Sequence, residues 1–302
     1  LCLHHNDADG LCAAAIVRRR YGDAVELREI DYGLPIPWDK IEAAEAVIMV
    51  DFSLPRPDML KLRRAKGQNF VWIDHHLSAL NDMAGEADIS GLRRLDAAAC
   101  VLAWEYYFPE YDIPPSVRFI GDRDIWRFAY LQTQAFCEGL FYADTAAAND
   151  ALWQPLLNGD EALIQTFIDR GEILLEARLK GIARHVQTCG FETTFAGHKT
   201  LAVNLPGSGD VGHYICGLGF DIAYVYSDAW QDGQVITNVS LYSETVDVSQ
   251  IAKTYGGGGH KGAAGFRFVR AGNAPFPDPA YRPGGKTLIS SPGETGAAGP
   301  PT

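Results

Sequence analysis

The first 130 residues alternate short apolar runs with segments of helical periodicity. The runs are rich in β-branched or aromatic residues and end at polar or glycine-containing turns, which is typical of buried strands. The predicted strands are Leu1–His5, Val25–Ile30, Ala46–Phe52 and Phe70–Asp74. Between them, Leu11–Tyr21 and Pro57–Lys66 carry apolar residues at helical spacing. This alternation predicts an α/β domain with a parallel sheet and helices on both faces.

The pattern becomes helical from Ala97 onward. Gly159–Cys189 predicts one or two long helices, with Gly171 as a candidate break. A second α/β unit follows, with strands near Lys199–Leu205, Ile222–Tyr226, Val235–Tyr242 and Gly265–Val269 and a helix at Val248–Tyr255. We therefore predict an N-terminal domain at 1–150, a helical connector at 151–190, a smaller C-terminal α/β domain with a mixed sheet at 191–272, and a disordered tail at 273–302.

Composition narrows the class of protein. Hydrophobic residues make up 47% of the 302 residues and charged residues 21%, the balance of a globular protein. No run of eighteen apolar residues appears, so no membrane span is predicted, and Leu1–Asp7 lacks the features of a signal peptide. The six cysteines lie far apart with no CxxC pair, which argues against a disulfide framework or a zinc–cysteine site and predicts a cytoplasmic location.

The excess of acidic residues argues against binding of long nucleic acid. Lys and Arg number 26 against 38 Asp and Glu, a net charge of −12. A protein that binds long nucleic acid through its phosphates usually carries a basic stripe, and this chain has none. An anionic partner is therefore expected to be small, or to be met locally by metal ions and a few cationic side chains.

Polar side chains follow three of the predicted strands. The first strand ends in His5-Asn6-Asp7-Ala8-Asp9-Gly10, the third in Asp51 and the fourth in Asp74-His75-His76. A parallel sheet binds its ligand at the carboxyl ends of its strands, so these side chains are expected to converge. Each piece alone has a plainer interpretation: Asp-Gly after a strand is most often a turn, and an Asp at a strand end often caps the next helix.

Converging carboxylates in a poorly solvated cleft would protonate unless a cation offset their charge. No lysine lies within the three segments. Mixed His and Asp ligands favour manganese or another transition ion over magnesium. Five to six ligands are too many for one four-coordinate zinc, but they suit two metals that share a carboxylate and promote phosphoryl displacement.

The motifs resemble a known family. His5-x-Asp7-x-Asp9-Gly10, Asp51, Asp74-His75-His76 and Gly121-Asp122-Arg123-Asp124 are similar to the four successive motifs of the DHH phosphoesterases. The segment GGGGHKGAAGF at 256–266 resembles the glycine-rich motif of the DHH-associated domain of RecJ-like exonucleases and nano-RNases. The resemblance covers about residues 1–270.

The resemblance implies a role for each motif residue in an N-terminal catalytic domain. His5 and Asp7 would hold one divalent cation, Asp9 and His75 the other, and Asp51 would bridge them. Mn²⁺ is the expected ion, with Mg²⁺ or Co²⁺ as alternatives.

The fourth motif would supply one more metal ligand. Asp122 is preferred because it follows Gly121, while Asp124 stays a candidate that could instead position Arg123 or a water. Asp74 would orient a histidine ring, and His76 would face the scissile phosphate.

The glycine run predicts a phosphate-binding loop in the C-terminal domain. Consecutive glycines let the backbone adopt left-handed conformations and present N–H groups to an anion, although a flexible helix stop is the plainer interpretation. The candidate substrate-binding residues are Gly257, Gly258, Gly259, His260 and Arg123, with Lys261, Arg267 and Lys253 as further candidates. Four aromatics near the motifs could stack on bases, although core packing is preferred for most of them: Phe52, Trp126, Phe128 and Tyr255.

The expected function is a manganese-dependent phosphodiesterase that hydrolyses short linear oligonucleotides or dinucleotides such as pNpN to nucleoside 5′-monophosphates. The expected partner is that substrate, rather than long duplex nucleic acid or a membrane, and a homodimer stays open. The alternatives are a RecJ-like single-stranded DNA exonuclease, a phosphoesterase for cyclic dinucleotides or adenosine 3′,5′-bisphosphate, and a nucleotide-binding sensor without catalysis. An inorganic pyrophosphatase would share the first motifs, but the glycine-rich ending argues against it.

Overall fold

The chain divides into two units in the computed structural model, which describes residues 1–86 and 89–270. The units are Leu1–Glu176 and Ala177–Thr302, and one long helix, Glu161–Cys189, spans the division. The domain boundaries predicted at 150 and 190 stay predictions. The tail predicted at 273–302 lies outside the described residues.

The N-terminal unit contains a four-stranded parallel sheet with the strand order β2-β1-β3-β4. Its strands are β1 Cys2–His4, β2 Leu27–Glu29, β3 Val47–Val50 and β4 Phe70–Ile73. Its helices are α1 Ala8–Tyr21, α2 Trp38–Ala43, α3 Arg56–Lys66, α4 Leu77–Asp82, α5 Ala99–Tyr107, α6 Pro115–Asp124, α7 Thr133–Phe141 and α8 Asp150–Leu157, followed by α9 Glu161–Cys189.

Both faces of this sheet are buried at β1, β3 and β4, as the alternating pattern predicted. Successive strand residues point to opposite faces. Leu3 and Met49 belong to a core that includes Leu62 of α3, whereas their neighbours Cys2 and Val50 belong to the core formed with α1 and α5. A strand that is buried on both sides has to be apolar throughout, which is why the runs of β1, β3 and β4 stand out in the sequence, whereas the edge strand β2 is largely exposed.

Helix α9 is continuous through Gly171, so the candidate break there is corrected. A Cβ at position 171 would lie 1.6 Å from the carbonyl oxygen of Ala135, and one at Gly139 would lie 1.9 Å from that of Phe167. Two glycines thus let the backbones of α7 and α9 meet closely. Gly171 is a packing residue rather than a helix breaker.

The C-terminal unit contains a six-stranded mixed sheet with the order β5-β6-β7-β8-β10-β9. Strands β6 and β7 pair in parallel and the other neighbours pair antiparallel, which confirms the predicted fold class. The elements are β5 Phe191–Phe195, β6 His198–Asn204, α10 Gly209–Gly217, β7 Ile222–Gln231, β8 Gln234–Tyr242, α11 Val248–Thr254, β9 Gly258–His260 and β10 Ala263–Val269. The sequence pattern did not predict β5, α10 or β9.

A helix that crosses a bilayer has to be about 20 residues long and predominantly apolar. Within residues 1–86 and 89–270, no helix is both long and apolar enough to cross a membrane.

Candidate metal centre

Histidine and aspartate side chains gather at the carboxyl ends of β1, β3 and β4. Three groups each have ligand atoms within 4.8 Å of one another: His5 with Asp7 and Asp51, Asp51 with His75 and His76, and Asp9 with His75 and Asp124. Asp51 and His75 each belong to two groups, so the three form one continuous cluster. The cluster lies where the strand order reverses between β1 and β3, the usual ligand position on an open parallel sheet.

The turn from β1 into α1 positions His5 and Asp7. Asp7 caps α1 by accepting a hydrogen bond from the Gly10 N–H at 2.9 Å, and its other oxygen lies 2.9 Å from Nδ1 of His5. A Cβ at position 10 would lie 2.4 Å from the His5 carbonyl oxygen, which explains the glycine. The neighbouring His4 is 2% exposed, and burial lowers its pKa. The structure therefore places His5, as predicted, and not His4 in the cluster.

Asp9 is anchored by the first turn of another helix. Its two carboxylate oxygens accept hydrogen bonds from the backbone N–H groups of Ala99 and Cys100, each at 2.8 Å, at the start of α5. The positive end of a helix favours a negative charge there. Asp9 is nevertheless 1% exposed, and this burial raises its pKa.

Asp51 is the side chain whose environment points most clearly to a cation. It is 2% exposed, and neither of its carboxylate oxygens has a hydrogen-bond partner among the described residues. Burial and the negative charges of Asp9, Asp7 and Asp124 raise the pKa of Asp51 well above its usual value. A buried carboxylate without donors is costly unless a positive charge offsets it. The donor set therefore fits divalent cations on either side of this residue.

The backbone of Asp51 is also unusual, with φ at 54°. This left-handed conformation is uncommon for a residue other than glycine and occurs often at functional sites. Its N–H still bonds to the Ile73 carbonyl oxygen at 3.0 Å, in line with the β3–β4 pairing. The side chain is thus turned at a fixed point, directly after the last strand residue.

The Asp74-His75-His76 segment is ordered by Asp74. One oxygen of this fully buried carboxylate accepts hydrogen bonds from the backbone N–H of His75 at 2.7 Å and from Nδ1 of His76 at 2.8 Å. The bond to Asp74 raises the pKa of His76, whereas burial lowers the pKa of His75. Nε2 of His75 lies 3.4 Å from Asp51 and 3.2 Å from Asp124. Asp74 thus accepts a hydrogen bond from the His76 ring, and its role in orienting a histidine stays a prediction.

The preference for Asp122 in the fourth motif is corrected by the structure. The Asp122 carboxylate accepts hydrogen bonds from the N–H of Ala129 at 3.0 Å and of Tyr130 at 3.3 Å, and from the Thr133 hydroxyl at 2.5 Å. Asp124, two residues further along α6, faces the cluster instead. Burial and the charges of Asp9 and Asp7 raise its pKa to about 8.

Asp31 is a carboxylate near the cluster that the sequence analysis missed. Its Oδ1 lies 3.6 Å from Nε2 of His5, on the opposite side of the ring from Asp7. Asp31 comes two residues after β2, just as Asp51 comes directly after β3. The signal was therefore the same: an Asp at the carboxyl end of a predicted strand.

The glycine run lies in the C-terminal unit and forms a hairpin rather than an open loop. The N–H of Gly257 bonds to the Ala252 carbonyl oxygen at the end of α11, and β9 pairs with β10. These hydrogen bonds occupy several of the backbone N–H groups of the run, so the prediction that the run presents a row of free N–H groups to an anion is corrected. Only Gly256 and Gly259 of the run have positive φ values. The side chains of His260, Lys261 and Arg267 are exposed, and their substrate-binding role stays a prediction.

The N-terminal unit is thus an α/β domain with an all-parallel sheet and a candidate metal site, formed by His and Asp side chains at the carboxyl ends of the strands. Residues 1–119 match the DHH family, N-terminal domain. This match covers 119 of the 302 residues and agrees with the resemblance to the DHH phosphoesterases that the motifs carry.

One curated relative is an uncharacterized protein, R106, of Acanthamoeba polyphaga mimivirus. It is 28% identical over 232 residues, which cover 74% of this chain and 53% of the relative. The chain thus spans about half the length of that protein.

One solved structure shares the fold, and a second is similar to this chain with a lower TM-score. The DHH domain of PF0399, a member of a family of ribosomal proteins, is 14% identical with a TM-score of 0.57, over 89% of this chain and 82% of that chain. The pGpG-specific phosphodiesterase PggH of Vibrio cholerae is 13% identical with a TM-score of 0.48, over 89% of this chain and 92% of that chain.

Proposed function

We propose that this protein is a two-metal phosphodiesterase that hydrolyses short linear oligonucleotides or dinucleotides to nucleoside 5′-monophosphates, with manganese as the working ion. The observation that carries the proposal is the buried Asp51 carboxylate, which has no hydrogen-bond partner among the described residues and lies between two sets of ligand atoms. The match of residues 1–119 to the DHH family, N-terminal domain, supports phosphoester chemistry.

The cluster residues divide into two sets around Asp51. His5 and Asp7 would hold one cation, while Asp9, His75 and Asp124 would hold the other. When bound, such a pair supplies an acidified water and Lewis-acid stabilisation of the phosphoryl oxygens.

Two other side chains of the site, Asp74 and His76, would position a proton close to the substrate. Asp74 fixes the ring of His76 by accepting from its Nδ1, and this bond raises the pKa of His76. The other nitrogen, Nε2, is then available to donate a proton to a phosphoryl oxygen of the substrate. Because 41% of the His76 side chain is exposed, the ring is accessible to such a substrate.

The preference for short substrates rests on charge. The chain carries a net charge of −12, and long single strands are bound through many phosphate contacts. A dinucleotide presents few phosphates, which the cations and a few basic side chains can meet.

The test is turnover by the purified protein with Mn²⁺, using a 5′-phosphorylated dinucleotide and a long single-stranded DNA in parallel. We expect faster release of mononucleotides from the dinucleotide and loss of this activity in Asp51→Asn. Asp112→Asn removes an exposed carboxylate outside the cluster and is the matched control. Faster digestion of the long strand would favour the RecJ-like alternative, and binding of nucleotides without any turnover would favour the sensor.

A further inference from the structure

The segment at 125–131, which we call the aromatic loop, follows Asp124 directly and holds two aromatic residues in a rare conformation. Trp126 has φ at 56° and Phe128 has φ at 51°. Bulky side chains rarely occupy this left-handed region, because Cβ crowds the backbone there. Strain of this kind persists only where the surroundings enforce it, and it concentrates at functional sites.

Asp122 enforces this conformation. Its carboxylate accepts from the N–H groups of Ala129 and Tyr130, and its carbonyl oxygen accepts from the Arg127 N–H at 2.9 Å. The Trp126 N–H bonds to the Arg123 carbonyl oxygen at 3.0 Å. With the Ile125 N–H, which bonds to the Gly121 carbonyl oxygen at 3.2 Å, five backbone N–H groups of the loop are hydrogen-bonded.

The loop presents the indole of Trp126 instead of burying it. Trp126 is 50% exposed, with the Phe128 ring in a T-shaped contact at 4.8 Å and the Arg123 guanidinium 5.5 Å from its ring centroid. Two other candidate aromatics have core contacts: Phe52 is 2% exposed, and Tyr255, although 38% exposed, stacks on the core residue Phe266 at 4.7 Å. Trp126 instead has ring contacts with its chain neighbours Phe128 and Arg123.

The backbone of Trp126 lies close to that of Asp124, a residue of the metal centre. Trp126 is two residues from Asp124, so their Cα atoms are at most about 7 Å apart. A nucleobase is joined to its phosphate through one sugar, so a phosphate at the cluster brings a base within reach of the loop. Exposed aromatic rings beside a cationic group bind bases by stacking, with little dependence on base identity.

We infer that Trp126 is a positioning residue that stacks on a nucleobase of the substrate next to the scissile phosphate. This inference rests on the proposed function. The proposed role explains the strained backbone, because the left-handed conformation of Trp126 would hold a large aromatic ring at the edge of the site. It also assigns Asp122 the role of holding that ring in place.

The test compares binding of a non-hydrolysable dinucleotide with that of the same molecule lacking one base, by calorimetry with Mn²⁺ present. Stacking on an aromatic ring contributes enough free energy that the intact dinucleotide should bind the wild type about tenfold more tightly than the abasic one. Trp126→Ala should remove most of this difference, and Trp126→Phe should keep part of it. Trp230→Ala, a tryptophan that is 75% exposed in the C-terminal unit, should leave it unchanged.

Trp126→Gly separates positioning from stability. Glycine tolerates φ at 56°, so this variant should melt no lower than Trp126→Ala and still lose the preference for the base. An unchanged binding ratio in Trp126→Ala, or an equal loss for intact and abasic dinucleotides, would overturn the inference. This experiment measures binding and is therefore independent of turnover. If the protein hydrolyses dinucleotides but binds the intact and abasic forms equally well, the stacking role of Trp126 is refuted and the proposed activity is not. If it prefers the intact dinucleotide but does not hydrolyse it, the proposed activity is refuted and the stacking role is not.

Discussion

The two aspartates of the fourth motif should respond to substitution in opposite ways. Asp122→Ala removes the acceptor for three donors: the N–H groups of Ala129 and Tyr130 and the hydroxyl of Thr133. Thr133 is fully buried, so its hydroxyl loses its partner without access to water, whereas the two backbone groups belong to exposed residues. At about 1 kcal/mol for each lost bond, the free energy of unfolding should fall by about 3 kcal/mol.

That loss corresponds to a drop in Tm of about 6–12 °C for a domain of this size. Asp124→Ala should behave differently, because this carboxyl lies in an acidic cluster that raises its pKa to about 8. Removing it should leave the Tm of the metal-free protein unchanged or higher, and should lower the amount of bound Mn²⁺.

The assay is thermal unfolding without metal, followed by Mn²⁺ titration with elemental analysis of the dialysed protein. Asp122→Asn is a milder companion, because it keeps one acceptor oxygen and should lose less stability. The reasoning is refuted if Asp122→Ala keeps its Tm and loses metal, or if Asp124→Ala binds as much Mn²⁺ as the wild type.

Further predictions concern Asp51 and the crossing of α7 and α9. Asp51→Ala should leave the Tm of the metal-free protein unchanged or raise it, because the variant removes a buried carboxylate without a hydrogen-bond partner among the described residues. It should also abolish the stabilisation by Mn²⁺, which for the wild type is about 2.7 kcal/mol at a Mn²⁺ concentration of 100 times the Kd. A Tm of the variant that still rises with Mn²⁺ would contradict this prediction. Gly171→Ala should destabilise by at least about 3 kcal/mol, because its Cβ would lie 1.6 Å from the Ala135 carbonyl oxygen. Gly181→Ala on the same helix meets nothing within 4 Å and should stabilise by up to about 1 kcal/mol in denaturant unfolding; equal effects at both glycines would show that α7 and α9 do not meet so closely.

The parallel sheet and most of the cluster could be predicted because they depend on local signals. A strand that is buried on both faces has to be an apolar run, so β1, β3 and β4 are visible, and the first one or two residues after each strand lie at the ligand edge of the sheet. His5, Asp51 and His75 were located in this way.

The choice between Asp122 and Asp124 could not be made locally. Residues two apart on a helix point about 200° from each other, so one of them faces the site and the other faces away. Which one does so depends on how α6 packs, information that lies outside the motif. Gly121 gave no guidance, because its Cβ would meet Val101 of α5 at 2.7 Å, a packing constraint rather than a chemical one.

The glycine run and Gly171 were misjudged for a related reason. Glycine has a low intrinsic preference for both strands and helices, so a loop and a helix break were the natural expectations. In the structure, Gly257 faces the Gly265 carbonyl oxygen, which would lie 2.0 Å from an added Cβ. At both positions, close approach to a distant segment determines the conformation, and a single sequence does not reveal that approach.

Two cations held by the side chains around Asp51 are central to the proposed activity. The most direct measurement is an anomalous-scattering map at the manganese edge from crystals grown with Mn²⁺. We expect two peaks in contact with Asp51, one also bound by His5 and Asp7 and the other by His75 and Asp124. A map without peaks at these side chains, or with manganese only elsewhere on the protein, would contradict the account.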